Sequence, residues 1–198
     1  MPRQSPYPPP HKRLMRATFG MAAVAVLAAA PLARAQGGDV PNCPSARLEV
    51  ERLWCQGGAA FIEHTPASYA KSIEAYERAL DLEKRNRVLG RNAWLVLIDN
   101  LGMAYGISGN IAKAREVFEY GVSKEPGYPM FYYNLACAAA EAGDEAKTID
   151  YLKRAFALRA NVIPGESMPD PATDDSFGRF MHDAAFVTAI KALPRGAR

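Results

Sequence analysis

The stretch LVLIDNLGMAYGISGNIAKAREVFEYGVSKEPGY (95–128) is followed directly by PMFYYNLACAAAEAGDEAKTIDYLKRAFALRANV (129–162), and these two blocks of 34 residues decide the fold. Aligned with each other, the blocks pair Leu101 with Leu135, Gly109 with Gly143 and Phe118 with Leu152. A repeat of this length is typical of stacked copies of one supersecondary unit. The chain is therefore predicted to be built from repeated units rather than around one irregular core.

A looser copy precedes the two blocks over residues 53–86, at an offset of 42, as if eight residues were inserted. Three columns of the alignment hold only small side chains, namely Ala60/Gly102/Ala136, Ser72/Ala114/Thr148 and Ala79/Gly121/Ala155. A large side chain accompanies them in each copy, namely Tyr76, Phe118 and Leu152. Two antiparallel helices need small residues where their backbones approach most closely and a large residue to fill the space beside them. Each unit is therefore predicted to be a helical hairpin.

Apolar residues recur at helical spacing along the repeats, and no strand-like alternation runs through them. We predict helices over 46–63, 66–88, 92–107, 111–124, 129–142 and 145–159, and a shorter one from Asp183 onward. Gly109 and Gly143 are expected to end the first helix of their hairpins, and Asn110 and Asp144 to cap the second. The predicted fold class is all-α. It is a short α-solenoid of hairpins over 53–162, preceded by an N-terminal segment (36–52) and closed by a C-terminal capping segment (163–198).

The aligned positions of the two more regular units, 95–128 and 129–162, form a motif. One unit carries Asn100-Leu101-Gly102, Tyr105, Gly109, Ala114, Phe118 and Pro126, and the next carries Tyr132, Asn134-Leu135-Ala136, Gly143, Leu152 and Ala155. In these residues the chain resembles a tetratricopeptide repeat (TPR) protein of the secreted or periplasmic bacterial type. The unit over 53–86 is degenerate, since Gly57-Gly58 are expected to weaken its first helix. The C-terminal segment is similar to the Asp-x-x-Phe endings that often follow such repeats, which implies a cap on the open end of the stack.

The resemblance implies a function in protein binding, because the first helices of TPR hairpins line a concave groove that holds a peptide or helix. By position, the groove residues would be Val96, Asp99, Asn100, Met103, Met130, Tyr133 and Asn134. Val96 and Met130 stand where chaperone-binding members carry lysine, so a receptor for chaperone tails is not expected. The implied function is a non-enzymatic interaction module of the bacterial envelope, without a cofactor, that binds a protein or peptide partner. Alanine at Tyr133 and Asn134 is expected to weaken that binding and to leave melting nearly unchanged.

The first 35 residues have the order of a secretory signal peptide. A basic, proline-rich opening precedes the apolar run Met21 to Ala30, and Ala33-Arg34-Ala35 provides a cleavage site. We predict cleavage after Ala35 and a periplasmic or secreted mature protein with no stable insertion in the membrane. An uncleaved membrane anchor and a start at Met15 are the alternatives.

Charge is unevenly distributed along the chain. The whole sequence has a formal net charge of +3, but residues 1–35 hold five basic residues and no acidic one. The remainder, 36–198, therefore carries 19 basic against 21 acidic residues. A segment so close to neutrality has no electrostatic reason to bind nucleic acid.

Cys43 and Cys55 are predicted to form a disulfide, because both precede the best repeats and the expected compartment is oxidising. The alternative is that Cys43 is too mobile to pair. Cys137 is expected to stay reduced as a small helix-packing residue. A cysteine nucleophile assisted by His64 would be a catalytic alternative, but the pair has no orienting third residue.

The sequence contains no phosphate-binding loop, no nucleophile elbow and no helical zinc motif. The alternative function is an enzyme or metal-dependent protein with its site in the acidic C-terminal segment. The residues available there are Asp170, Asp174, Asp175 and His182, which do not have the ligand spacing of a calcium loop. Self-assembly through the open ends of the stack is a third possibility.

Overall fold

The computed structural model describes residues 42–194, so the predicted signal peptide (1–35) and the last four residues of the predicted cap lie outside the described part. Its α-helices are α1 (Glu49–Phe61), α2 (Pro66–Arg85), α3 (Arg91–Ile107), α4 (Ile111–Lys124), α5 (Pro129–Glu141), α6 (Glu145–Ala157) and α7 (Ala184–Lys191). Short 3-10 helices cover Cys43–Ser45, Arg159–Asn161 and Asp175–Phe180. No strand occurs between residues 42 and 194. The predicted all-α class is confirmed.

The helices pair into three consecutive hairpins, α1 with α2, α3 with α4, and α5 with α6. Successive hairpins pack on each other through α2 with α3 and through α4 with α5, and α7 packs against α6 at the C-terminal end. The chain is therefore a short helical solenoid, as predicted. Among residues 42–194, no helix combines the length and the apolar character needed to cross a lipid bilayer.

Gly102 is needed where α3 crosses α4. A Cβ atom at this position would lie 2.4 Å from Cε1 of Phe118, whose ring is fully buried. The first hairpin meets the same requirement with a different glycine, since a Cβ at Gly57 would lie 2.7 Å from the ring of Tyr76. Gly57 therefore does not interrupt α1, which runs through it, and the missing side chain makes room for Tyr76.

The turns between the helices of the second and third hairpins follow the predicted chemistry. Gly109 and Gly143 adopt left-handed backbone angles, with φ of 85° and 77°. The Asn110 side chain then accepts a hydrogen bond from the Lys113 amide, and Asp144 accepts one from the Lys147 amide. These bonds satisfy amide groups that the first turn of each helix leaves unpaired.

The second helix of the first hairpin is longer than its counterparts, and its end is set by one buried carboxylate. α2 has 20 residues, whereas α4 has 14 and α6 has 13. Beyond its end, Oε1 of Glu83 accepts hydrogen bonds from the amides of Val88 and Leu89, each at 3.0 Å. These two bonds turn the chain toward α3, which explains why α2 stops at Arg85 rather than at residue 88 as predicted.

Cys43 and Cys55 are joined by a disulfide, with their Cα atoms 5.6 Å apart, and this is the pair expected from the sequence. The bond connects the first 3-10 helix to α1. Cys137 is a free, buried cysteine on α5.

Replacing both paired cysteines by serine is expected to lower the free energy of unfolding by about 2–3 kcal/mol, because the bond restrains a short loop in the unfolded chain. Urea unfolding of wild type and the Cys43→Ser/Cys55→Ser variant measures the difference. Alkylation of the unreduced, denatured protein provides the control, since only Cys137 should be modified. Modification of all three cysteines would contradict the prediction.

Candidate functional site

The seven predicted groove residues lie on α3 and α5, and we call the surface that they form the inner face. Six of them are buried, and Asn100 is half-buried. Tyr133 is only 2% exposed and Asn134 only 3%. The expectation that they line an open groove, unneeded by the fold, is therefore corrected: most of them are buried within the chain, and at Tyr133 the C-terminal segment is the part that covers the side chain.

The covering element is the segment 162–182, which we call the strap. It leaves α6 after the 3-10 helix Arg159–Asn161, crosses the inner face and ends just before α7. Five of its 21 residues are buried, and the others are half-buried or exposed. The buried ones are Ile163, Pro171, Asp174, Ser176 and Phe177. One side of the strap is thus bound to the helices while the other faces solvent.

Two tyrosines near the start of α5 bind carboxylates of the strap. The hydroxyl of Tyr128 donates to Glu166 at 2.6 Å, and the hydroxyl of Tyr133 donates to Asp174 at 2.7 Å. Asp174 is 8% exposed and also accepts from the Ser176 amide at 2.9 Å. Hydrogen bonds to a charged acceptor are stronger than those between neutral groups. These two contacts therefore hold the strap at two points along its length.

An arginine holds the strap at the other end of α5. The guanidinium of Arg179 donates to the carbonyl oxygens of Ala140 at 2.8 Å and Glu141 at 3.0 Å, and it lies against Gly143. The last carbonyl groups of a helix lack partners within the helix and carry partial negative charge, so a cation is favourable at this position.

Apolar side chains complete the attachment. The ring of Phe177 packs edge-on against Tyr133, with centroids 5.8 Å apart and planes at 85°. Ile163 belongs to the main core together with Met103 and Met130, and Met168 packs against both hydrophobic clusters of the protein. The strap is therefore part of the buried interior and not a loose tail.

The asparagines that the TPR resemblance assigns to ligand binding form bonds within the chain. Asn134 donates to Oδ1 of Asp99 at 2.7 Å and so connects α5 to α3. Asn100 donates to the hydroxyl of Tyr76 at 3.1 Å and so connects α3 to α2. Each asparagine thus links one hairpin to the preceding one.

Asp99 on α3 and Glu166 on the strap interact electrostatically. Burial raises the pKa of Asp99 well above its usual range, the charge of Glu166 raises it further, and the bond from Asn134 opposes both effects. Burial also raises the pKa of Glu166, against the hydrogen bond from Tyr128. Burial raises the pKa of the Tyr128 hydroxyl as well, and the charge of Arg91 opposes this effect. Folding therefore makes deprotonation of Asp99 and Glu166 less favourable than in the unfolded chain.

Asp99→Asn is expected to stabilise the protein more at pH 8 than at pH 5. An acid whose pKa is raised by folding costs stability as the pH rises through the folded-state pKa, and asparagine carries no charge to bury. Urea unfolding of both proteins at the two pH values measures the difference. Asp150→Asn, at an exposed ion pair with Arg154, is the control and should change stability by less than about 0.5 kcal/mol. An equal effect of Asp99→Asn at both pH values would contradict the prediction.

The residues of the alternative catalytic and metal sites have structural contacts. Asp174 is bound to Tyr133, and Asp170 accepts from the Ala172 amide at 3.0 Å. Within residues 42–194, no three His, Cys, Asp or Glu side chains come together in a way that could hold a metal ion. Cys55 is in the disulfide, and His64 is bonded to the Tyr69 hydroxyl at 2.9 Å. Burial raises the pKa of the Cys137 thiol, which disfavours a reactive thiolate there.

Several residues of this site were not predicted from the sequence, namely Tyr128, Glu166, Ser176, Phe177 and Arg179. The available signal was the run 164–177, which holds prolines, carboxylates and one aromatic residue without helical spacing. Such a run after the last repeat indicates an extended segment, but it does not show which surface the segment covers.

No family model matches the sequence, and no curated protein matches it. The structure is similar to the crystal structure of the Sgt2 TPR domain from Aspergillus fumigatus, with a TM-score of 0.51 and 23% sequence identity. The match covers 77% of this chain and 85% of that chain. A similarity at this level of identity shows the fold alone. The chain is therefore a TPR-like helical solenoid.

Proposed function

We propose that this chain is a non-enzymatic protein-interaction module that binds a peptide segment of a partner protein along its inner face. The observation that carries the proposal is that this face already holds a peptide segment of the chain itself, the strap, through the buried bond from Tyr133 to Asp174. A TPR-like stack of hairpins is a scaffold well suited to peptide recognition, because its successive helices form one continuous surface.

We further propose that the module acts in the bacterial envelope. The order of basic opening, apolar run and Ala33-Arg34-Ala35 supports export and cleavage after Ala35. A disulfide between Cys43 and Cys55 is of the kind that persists in oxidising compartments, which also favours the periplasm or the exterior. The near-neutral charge of residues 36–198 favours a protein partner over nucleic acid.

Site-specific photo-crosslinking in intact cells of the native bacterium tests the function. A photo-reactive residue at half-buried Asn100 on the inner face should give a discrete adduct with another envelope protein. The same residue at exposed Lys153 on α6 is the matched control and should give none. Adducts from Lys153 alone would show that the partner binds the outer helices instead. Adducts from neither position would contradict the proposal. N-terminal sequencing of the same purified protein should begin at Gln36.

A further inference from the structure

We propose that the strap is an internal ligand of the inner face, which lifts as a unit to admit partner segments that are acidic, lack α-helix and carry an aromatic anchor. This inference rests on the proposed function and specifies the partner's chemistry and the means of access. It is carried by how the strap is attached, where it is tethered and which of its side chains the helices bind.

The attachment consists of side-chain contacts. Within residues 42–194, no backbone-to-backbone hydrogen bond outside the helices joins the strap to α3 or α5, and the strap's own turns are local, such as Glu166 to Ile163 and Phe177 to Asp174. The helices keep their internal hydrogen bonds whether or not the strap is in place. Lifting the strap therefore breaks the polar contacts of Tyr128, Tyr133 and Arg179. It also breaks the apolar contacts of Ile163 and Phe177. It breaks no hydrogen bond within the helices, so we expect the solenoid to stay folded.

The strap is held at both ends, which makes it a strong competitor. It starts after α6, and α7, which follows it, packs back against α6. A segment tethered in this way competes at an effective concentration in the millimolar range. An outside segment must therefore reproduce several of its anchors at once, since a single contact would not displace it.

The bound side chains define what the inner face recognises. Tyr133 contacts a carboxylate through its hydroxyl, at Asp174, and an aromatic ring through its own ring, at Phe177 three residues later. Tyr128 contacts a second carboxylate, Glu166, eight residues before Asp174. A fitting partner thus presents an acidic residue followed three positions later by an aromatic one, with a further acidic residue upstream, in an irregular segment whose aromatic residue lies in a 3-10 turn that the acidic residue caps.

Cys137 provides a direct measurement of lifting in the wild-type chain. It is the free cysteine of the described residues, it is buried on α5 one helical turn after Tyr133, and it shares a hydrophobic cluster with Phe177 of the strap. A thiol reagent should therefore modify it when the strap lifts, before the helices unfold. We expect the labelling rate to depend on urea much more weakly than global unfolding followed by circular dichroism, because lifting exposes less surface.

Asp174→Ala should accelerate this labelling about 10-fold to 100-fold, which is the effect of losing one buried hydrogen bond to a charged group. Asp150→Ala on the outer side of α6 is the matched acidic control and should leave the rate unchanged. Labelling that coincides with global unfolding in wild type would overturn the inference and show that the strap is a fixed part of the fold. The wild-type measurement shows whether the strap lifts before global unfolding, even if the Asp174→Ala chain does not fold.

The partner's chemistry is tested with a synthetic peptide that has the sequence of residues 161–181 and blocked ends. Added to the full-length Asp174→Ala/Phe177→Ala variant, it should bind the vacated face and slow labelling of Cys137 at least about 10-fold. A peptide with alanine in place of its Asp174 and Phe177 equivalents should not protect. Equal protection by both peptides, or none by either, would overturn the proposed ligand chemistry. The crosslinks from Asn100 test the binding function independently, so the two proposals can fail separately.

Discussion

Replacing Phe118 by alanine is expected to lower the free energy of unfolding by about 3–5 kcal/mol. The ring is fully buried between α3 and α4, where it packs on the bare backbone of Gly102. Truncation would leave a cavity between these two helices, and neighbouring backbone cannot easily fill it because each helix is held by its own hydrogen bonds. Urea unfolding followed by circular dichroism measures the loss.

A double-mutant cycle with Gly102 provides the control for this prediction. Gly102→Ala alone should cost about 1–3 kcal/mol, because the new methyl group would collide with the ring of Phe118. In the Phe118→Leu background the same change should cost less, since leucine places no ring edge at that position. Strictly additive costs would show that the close approach of Phe118 to Gly102 does not govern this crossing.

Tyr133→Ala is expected to cost about 3–5 kcal/mol, against the sequence-based expectation that alanine there leaves melting nearly unchanged. The side chain is 2% exposed, its ring packs on Phe177, and its hydroxyl satisfies the carboxylate of Asp174. Its removal therefore creates a cavity beneath the strap and leaves Oδ2 of Asp174 without the donor that Tyr133 provides, while Oδ1 keeps its bond from the Ser176 amide. The same unfolding experiment measures the cost, and Tyr133→Phe isolates the hydroxyl, with an expected loss of about 1–3 kcal/mol.

Tyr151→Phe is the matched control for the hydroxyl, because Tyr151 is a half-buried tyrosine on α6. Its replacement should change stability by less than about 0.5 kcal/mol. Hydrogen exchange then shows which parts of the chain lose stability when Tyr133 is replaced. If the strap is the element released, protection should fall at the strap and on α5 while α1 and α2 keep theirs. A Tyr133→Ala variant as stable as wild type would restore the open-groove interpretation.

The features that are specified by residues close together in the sequence, namely the turns and the hairpin crossings, were predictable. Gly109 with Asn110 and Gly143 with Asp144 specify a helix end and the next helix start within two residues, so the turns were located from sequence alone. The small columns beside Phe118 identified the hairpin crossings for the same reason, because a close approach of two adjacent helices requires a specific residue size at a specific spacing. In the first hairpin the same reasoning identified Tyr76 as the large residue at the crossing. It did not identify Gly57 as the small residue that the ring packs against.

The helical hairpins, their order and the Cys43–Cys55 pair were therefore determined by the sequence itself, since each is specified by periodic or local contacts. The burial of the inner face was decided only by the tertiary structure. Its contacts join residues far apart in the chain: Tyr133 and Asp174 are 41 positions apart, Tyr128 and Glu166 are 38, and Arg179 and Ala140 are 39. Apart from the 3-10 helix Asp175–Phe180, the strap has no regular backbone periodicity that the sequence could show, so the surface that it covers follows from three-dimensional packing alone.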